Sequence, residues 1–552
     1  MRRPGPLSDF TLTPRVGVIV AWAIPIGALG AGAAWLLLSL IGLITNAVFG
    51  GRFSTATVNP GTLGAPWWLV LGAPVVGGLV VGVMARYGSE KIRGHGMPEA
   101  LEAILFRRSI VEPKVAVLKP TSAAVSIGTG GPFGAEGPII MTGGALGSLV
   151  AQRLTLSDDE RKALMVAGAA AGMAATFDAP LASVLLAVEL LLFEWRPRSF
   201  LPVTAAVVVA TLLRVPLLGS GPIFGVDTAG WRIAVPAELL SVGIGVLGGL
   251  LAVAVTALVY RSEDAFELLR GRLHWMWWPA IGGLVIGIGG LIVPRALGVG
   301  YDVIGDLLSG HAALSLIVGI LVVKSLIWGL SLGSGTSGGV LAPTFMIGAA
   351  LGAFAGLVLP PVGPGFWALV GLAATVGGVM RSPLTGVVFS LELTHAWSAL
   401  LPLLIASATA YGVSVLLLKR SVLTEKIARR GGHLSREYEV DPHSTRFVDE
   451  VMAPVPGDDT DGSGRLRLRV DDDGRLRGLV RRSGEVVDDP VTLGPDDTLL
   501  DARHRLLTAG VTAAPVVGKD GELLGTATLA ELLGQPAGAG ASRTRLSAAG
   551  MT

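Results

Sequence analysis

The sequence predicts an all-α polytopic membrane domain made of two internally repeated, inverted halves with broken helices, followed by a small α/β domain. Three observations predict it. The chain is strongly apolar as far as Leu418, a pattern of residues recurs at a fixed offset, and the composition turns polar after Arg430.

Hydrophobic residues make up 51% and charged residues 15% of the 552 positions, with mean hydropathy +0.65. That is more apolar surface than a soluble protein of this length carries. Val16 to Ala47, Trp67 to Met84, Leu201 to Leu218, Leu239 to Val259 and Ala399 to Leu418 are apolar blocks near the roughly 20 residues that span a bilayer. The first block is longer than the apolar core of a signal peptide and reads as a retained span. Arg2, Arg3 and Arg15 before it, and Lys419, Arg420, Lys426, Arg429 and Arg430 after the last block, place both termini on the cytoplasmic side. The net charge of +2 suggests no nucleic-acid role, and the absence of cysteine removes disulfides and thiolate ligands.

Glycines and prolines interrupt the apolar runs from Pro98 to Pro197 and from Gly333 to Pro402. Irregular backbone at membrane depth is tolerated where protein buries it or where it lines an aqueous cavity. Broken helices around a central site are therefore expected.

The repeat can be counted. Pro138 pairs with Pro343 (343 − 138 = 205), and the same offset pairs Lys119 with Lys324, Ser126 with Ser331, Gly128 with Gly333, Gly130 with Gly335 and Gly143 with Gly348. Pro180 pairs with Pro383 and Glu189 with Glu392 at an offset of 203. In proteins of two related halves, binding sites sit between the halves where helices break.

Glu136, in GAEGP, is an acid in a segment otherwise able to lie in lipid, and such acids are functional by default. An acid at the start of a helix can also simply cap it. Between glycines and inside an apolar segment, a role toward an ion or proton is the preferred reading.

GHGMP (Gly94 to Pro98), GAEGP (Gly134 to Pro138) and GGVLAP (Gly338 to Pro343) each place glycine before an apolar helix and proline near its first turn, where proline removes no helix bond. The first N–H groups of a helix lack intrahelical partners and carry about half a positive charge. Several such ends aimed at one point bind an anion without a full lysine or arginine charge nearby.

These motifs, in this order, resemble those of the CLC chloride channels and chloride/proton exchangers over roughly Pro14 to Arg430. The flanking DAPLASVLLAVE (Asp178 to Glu189) and RSPLTGVVFSLELT (Arg381 to Thr394) are similar too. The resemblance implies a homodimer with one pathway per subunit and anion contacts from Gly94, His95, Gly96, Met97 and Pro98, from Gly134, Ala135, Glu136, Gly137 and Pro138, and from Gly339, Val340, Leu341 and Ala342. It also implies that the Glu136 carboxylate gates the path by mimicking the anion and swings out when protonated or displaced.

The departures limit what is carried over. His95 stands where the family has serine, Leu341 where it has an aromatic residue, and Leu423 where it has a tyrosine that contacts the central anion. Central coordination then rests on backbone N–H groups, and on His95 if its ring points inward rather than lying as a satisfied polar group in its loop. Exchangers of the family commonly carry an inner glutamate where this chain has Leu190, which cannot relay a proton. Passive or weakly proton-coupled conduction of chloride, or a similar monovalent anion, is the leading expectation, and chloride/proton antiport is the alternative. The repeated positions of Glu189 and Glu392 favour capping or bridging of helix ends.

Residues 1–435 thus form the transport domain, 436–534 a soluble domain and 535–552 a flexible tail rich in Ala, Gly and Ser. Asp489 to Leu533 reads strand, helix, strand, hairpin at Asp520-Gly521, strand, helix, and resembles a complete CBS motif. Val448 to Pro454 and the hairpin of Arg467 to Arg482 resemble parts of a degenerate first one whose helix is lost. Thr528 and Glu531 match positions that hold a nucleotide ribose in such domains, although a packing and dimer-stabilising module is the preferred reading. No HExxH, no GxSxG with triad partners and no phosphate loop occurs in the membrane part, so no enzyme, metal or cofactor is expected.

Overall fold

The structure, a computed structural model, describes residues 14–430 and 446–533 apart from 456–459, 461–465, 472, 482–484, 488–489 and 519. Arg2, Arg3 and the expected tail 535–552 lie outside these residues. Contacts divide the described residues into a membrane unit, 14–430, and a soluble unit, 446–533.

The first half of the membrane unit runs through α1 (Arg15–Gly50), α2 (Trp67–Tyr87), α3 (Met97–Phe106), α4 (Pro113–Gly128), α5 (Glu136–Ala151), α6 (Asp158–Phe177), α7 (Pro180–Leu186) and α8 (Pro197–Leu218). The second runs through α9 (Val235–Glu267), α10 (Trp278–Ile292), α11 (Tyr301–Leu308), α12 (Leu314–Gly319), α13 (Ser325–Gly333), α14 (Leu341–Ala355), α15 (Phe366–Met380), α16 (Pro383–Thr394) and α17 (Leu400–Leu417), and α18 (Glu425–Arg429) follows. Among the described residues, seven helical segments are long and apolar enough to cross a membrane. Two of them, Trp275–Ile292 and Leu314–Gly333, were not among the blocks named from sequence, because glycines in the first and Lys324-Ser325 in the second interrupt the apolar run.

Helix starts follow local chemistry. Proline opens the first turn of α3, α4, α7, α8 and α16, where its missing N–H is harmless. Ser157 and Glu160 form a reciprocal capping box on α6. Glycine sets the packing distance: a Cβ on Gly143 would collide with the Gly168 carbonyl of α6, and one on Gly371 of α15 with the Gly348 carbonyl of α14. Small residues allow such close backbone approach between membrane helices.

The two halves hold each other reciprocally. Glu392 of α16 accepts the N–H groups of Leu181 (3.0 Å) and Ala182 (2.8 Å) at the start of α7. Glu189, which follows α7, accepts those of Leu384 (3.4 Å) and Thr385 (2.9 Å) at the start of α16. A relation in which each member does to the other what is done to it is what a two-fold axis between the halves produces. Glu189 and Glu392 therefore have the capping role expected of them.

The soluble unit pairs β1 (Leu466–Val470), β2 (Leu476–Arg481) and β3 (Val486–Val487) in one antiparallel sheet. β4 (Ala513–Val517) and β5 (Leu523–Thr528) form a hairpin that turns at Gly521 (φ +83°). Val448, Leu493, Leu499, Leu506, Val516, Ala527 and Leu532 form a core with α19 (Leu499–Thr508) and α20 (Leu529–Leu532). The strand expected near Val491 is only a single bridge, Leu493 to Val516, because Pro490 and Pro495 bracket it and remove ladder donors. The expected last helix is one turn. The helix expected to be lost between Pro454 and the first hairpin falls largely outside the described residues.

Candidate functional site

Three loops separated in sequence meet through their backbones. Gly94 N–H donates to the Thr336 carbonyl (3.0 Å) and Gly338 N–H to the Gly94 carbonyl (3.4 Å). Gly134 and Gly339 exchange N–H···O bonds of 3.4 and 2.7 Å. A Cβ on Gly137 would collide with the His95 carbonyl, so GHGMP lies directly on the first turn of α5. Gly94 and Gly96 have φ of +79° and +84°, a region open to glycine at little cost. The N-termini of α3, α5 and α14 are thereby gathered at the contact between the halves.

Glu136 is the first residue of α5 and is fully buried. Its Oε1 accepts the N–H of Leu341, the first residue of α14, at 2.5 Å. The carboxylate thus rests on the helix terminus of the opposite half as well as on its own backbone N–H. A Cβ on Gly134 or on Gly339 would overlap the carboxylate, so both glycines are the space it occupies. Oε2 is buried without a hydrogen-bond partner.

The remaining expected residues fall as follows. Gly94, His95, Gly96, Met97 and Pro98, Gly134, Ala135, Gly137 and Pro138, and Gly339, Val340, Leu341 and Ala342 are all buried in this cluster. The His95 ring is not a satisfied polar group, since its Nδ1 is buried and unpartnered. Leu423 is fully buried just before α18, and the adjacent Val422 carbonyl accepts the Tyr260 hydroxyl (2.5 Å). Leu190 lies buried in the π-helical segment Ala187–Leu192. In the soluble unit, Thr528 and Glu531 bond each other at the start of α20: Glu531 Oε2 accepts the Thr528 N–H (2.8 Å) and hydroxyl (2.9 Å).

One further residue stands at these loops: the fully buried Lys119 donates to the carbonyls of Ile92 and Gly94, both at 2.8 Å. An isolated buried ammonium is costly, and two carbonyl acceptors offset that cost. Its repeat mate Lys324 does the same to Ala296 (2.9 Å) and Gly298 (2.7 Å). This exposes a fourth loop that the motif search missed. Gly298 and Gly300 (φ +65° and +81°) precede α11 as Gly94 and Gly96 precede α3, at an offset of 204 (298 − 94). Extending the repeat alignment by one motif would have found it.

A cavity of about 520 Å³ reaches the cluster, lined among others by Gly94, Glu99, Glu102, Arg107, Lys426 and Arg430. Lys426 Nζ lies 2.9 Å and Arg430 Nη2 3.3 Å from Glu99 Oε1. These residues were not expected at the site, because single charges beside a motif carry no periodic signal.

The arrangement gathers three helix N-termini where the two halves meet, with a carboxylate of one half on a backbone N–H of the other. Residues 77–415 match the family model described as voltage gated chloride channel, and residues 484–538 match the CBS domain. The chain belongs to the CLC family, whose members move anions across membranes, and it is a multi-pass membrane protein carrying a CBS domain.

Among its relatives, the H(+)/Cl(-) exchange transporter ClcA of Vibrio campbellii is 31% identical over 356 residues, 61% of this chain and 74% of that protein. A ClcB-like chloride channel protein of Ralstonia nicotianae is 28% identical over 360 residues, 63% of this chain and 82% of that one. A solved slow cyanobacterial Cl−/H+ antiporter shares the fold, with TM-score 0.66 and 22% identity over 76% of this chain and 99% of the other.

Proposed function

We propose that this protein is a transporter and not an enzyme, and that it carries chloride, or a similar monovalent anion, along the contact between its halves with Glu136 as the gate. The observation that supports this best is the Glu136 carboxylate on the Leu341 N–H. A tethered anion there occupies what a helix N-terminus offers a free one. Gly94 to Pro98, Gly134 to Pro138 and Gly339 to Ala342 supply backbone donors, and Leu423 supplies only apolar wall.

Leu190 in place of an inner acid favours passive or weakly coupled conduction. Chloride/proton antiport is the second reading, favoured by the similarity to ClcA. The functional unit is a homodimer with both termini cytoplasmic, the soluble domain packing without a nucleotide. Purified protein in liposomes separates the two readings. A chloride gradient that drives protons uphill establishes antiport, and chloride flux without proton movement establishes the passive path.

A further inference from the structure

Three buried side-chain atoms without hydrogen-bond partners accompany the path: Glu99 Oε2, His95 Nδ1 and Glu136 Oε2. Their residues are 5%, 4% and 0% exposed. An unsatisfied buried polar atom typically costs about 1–3 kcal/mol, and native proteins keep few. Glu99 lies in the first turn of α3 and lines the 520 Å³ cavity. His95 stands four residues earlier in the loop that opens α3, and its backbone lies against Gly137, the neighbour of Glu136. A chloride ion would be repelled by the two carboxylate oxygens, whereas water, which donates and accepts, can partner all three atoms and carry a proton between them.

We propose that Glu99 and His95 form a proton path from the cavity to Glu136, an alternative to the position filled by Leu190. This rests on the reading of Glu136 as the gate. Cavity water protonates Glu99 at Oε2, and the proton passes to a lone pair of the neutral His95 ring. The imidazolium then gives a proton, through water in the path, to the Glu136 carboxylate. Glu99 returns to carboxylate and His95 to neutral imidazole, so that one proton has moved and only O–H and N–H bonds have been exchanged.

The charges facing this route limit its speed. Lys426 and Arg430, from the α18 segment, both bond Glu99 Oε1, and Arg430 also bonds Glu102 Oε2 (2.7 Å). From α4, Lys119 holds the Gly94 carbonyl beside His95. A proton arriving at Oε2 meets the two cations already bonded to Oε1, so protons reach the gate slowly from the cavity side. Weak coupling follows.

The test uses full-length protein in liposomes, with chloride efflux measured as the pH on the cavity side is lowered at fixed pH on the other side. Wild-type flux is expected to rise as the gate is protonated. Glu99→Gln and His95→Ala are each expected to reduce that response about tenfold or more. Imidazole supplied on the cavity side is expected to restore it in His95→Ala, which a purely structural role for His95 would not allow. A wild-type response kept in Glu99→Gln or in His95→Ala, or a wild type indifferent to cavity-side pH, overturns the path. Glu136→Gln is the separate control: a response that survives there removes the gate reading itself.

Discussion

Glu136 Oε1 accepts the backbone N–H of Leu341 at 2.5 Å, and the two residues occupy the same place in the two repeats (341 − 136 = 205). The first residue of α5 therefore supplies the anion for the first residue of α14. On the proposed reading, donors at α14 that would bind a transported ion are held by a group that a single proton can neutralise. That one contact joins the repeat, the glycine loops and the gate.

Glu136→Gln keeps the volume and removes the charge. Anion flux is expected to persist while its dependence on pH disappears. Efflux from liposomes across a range of pH checks this, and an unchanged pH profile would remove Glu136 from the gating role.

Gly339→Ala leaves the acid in place but fills its seat, since the new Cβ would overlap the carboxylate. The gate is expected to be held out, so that flux becomes weakly pH-dependent, with overpacking costing about 1–3 kcal/mol. Efflux measured alongside thermal unfolding in detergent separates the two effects.

Glu392→Ala leaves the Leu181 and Ala182 N–H groups without their acceptor, a loss of about 1–3 kcal/mol. A lower melting temperature with the anion dependence of flux unchanged is the expected pair of results. Altered anion dependence would mean that this glutamate does more than join the halves.

Thr528→Ala breaks the box with Glu531 and is expected to cost the soluble domain about 1 kcal/mol. Because both side chains already satisfy each other, adenine nucleotides are expected to produce no heat on titration and no change in flux. A saturable calorimetric signal would contradict that.

Much of the fold was legible in the sequence because bilayer thickness and helix rise tie length to function. Apolar blocks marked spans, and proline marked helix starts at Pro98, Pro180 and Pro383. The pairing of Glu189 with Glu392 anticipated their capping, since equal positions in related halves meet across a two-fold axis. Contacts that depend on the meeting of distant segments were not legible. Lys119 and Lys324 were visible as a pair, but their carbonyl acceptors, Gly94 and Gly298 among them, emerge only once the loops fold back on the helices. The cation pair on Glu99 likewise joins residues more than 300 positions apart, for which no local pattern exists.

The central claim is that the Glu136 carboxylate stands where the transported anion binds at the start of α14. Crystals of Glu136→Gln grown in bromide test it most directly through anomalous scattering. A bromide peak within hydrogen-bonding distance of the Leu341 N–H is the predicted result. Bromide found elsewhere along the path, with nothing at that N–H, would contradict it.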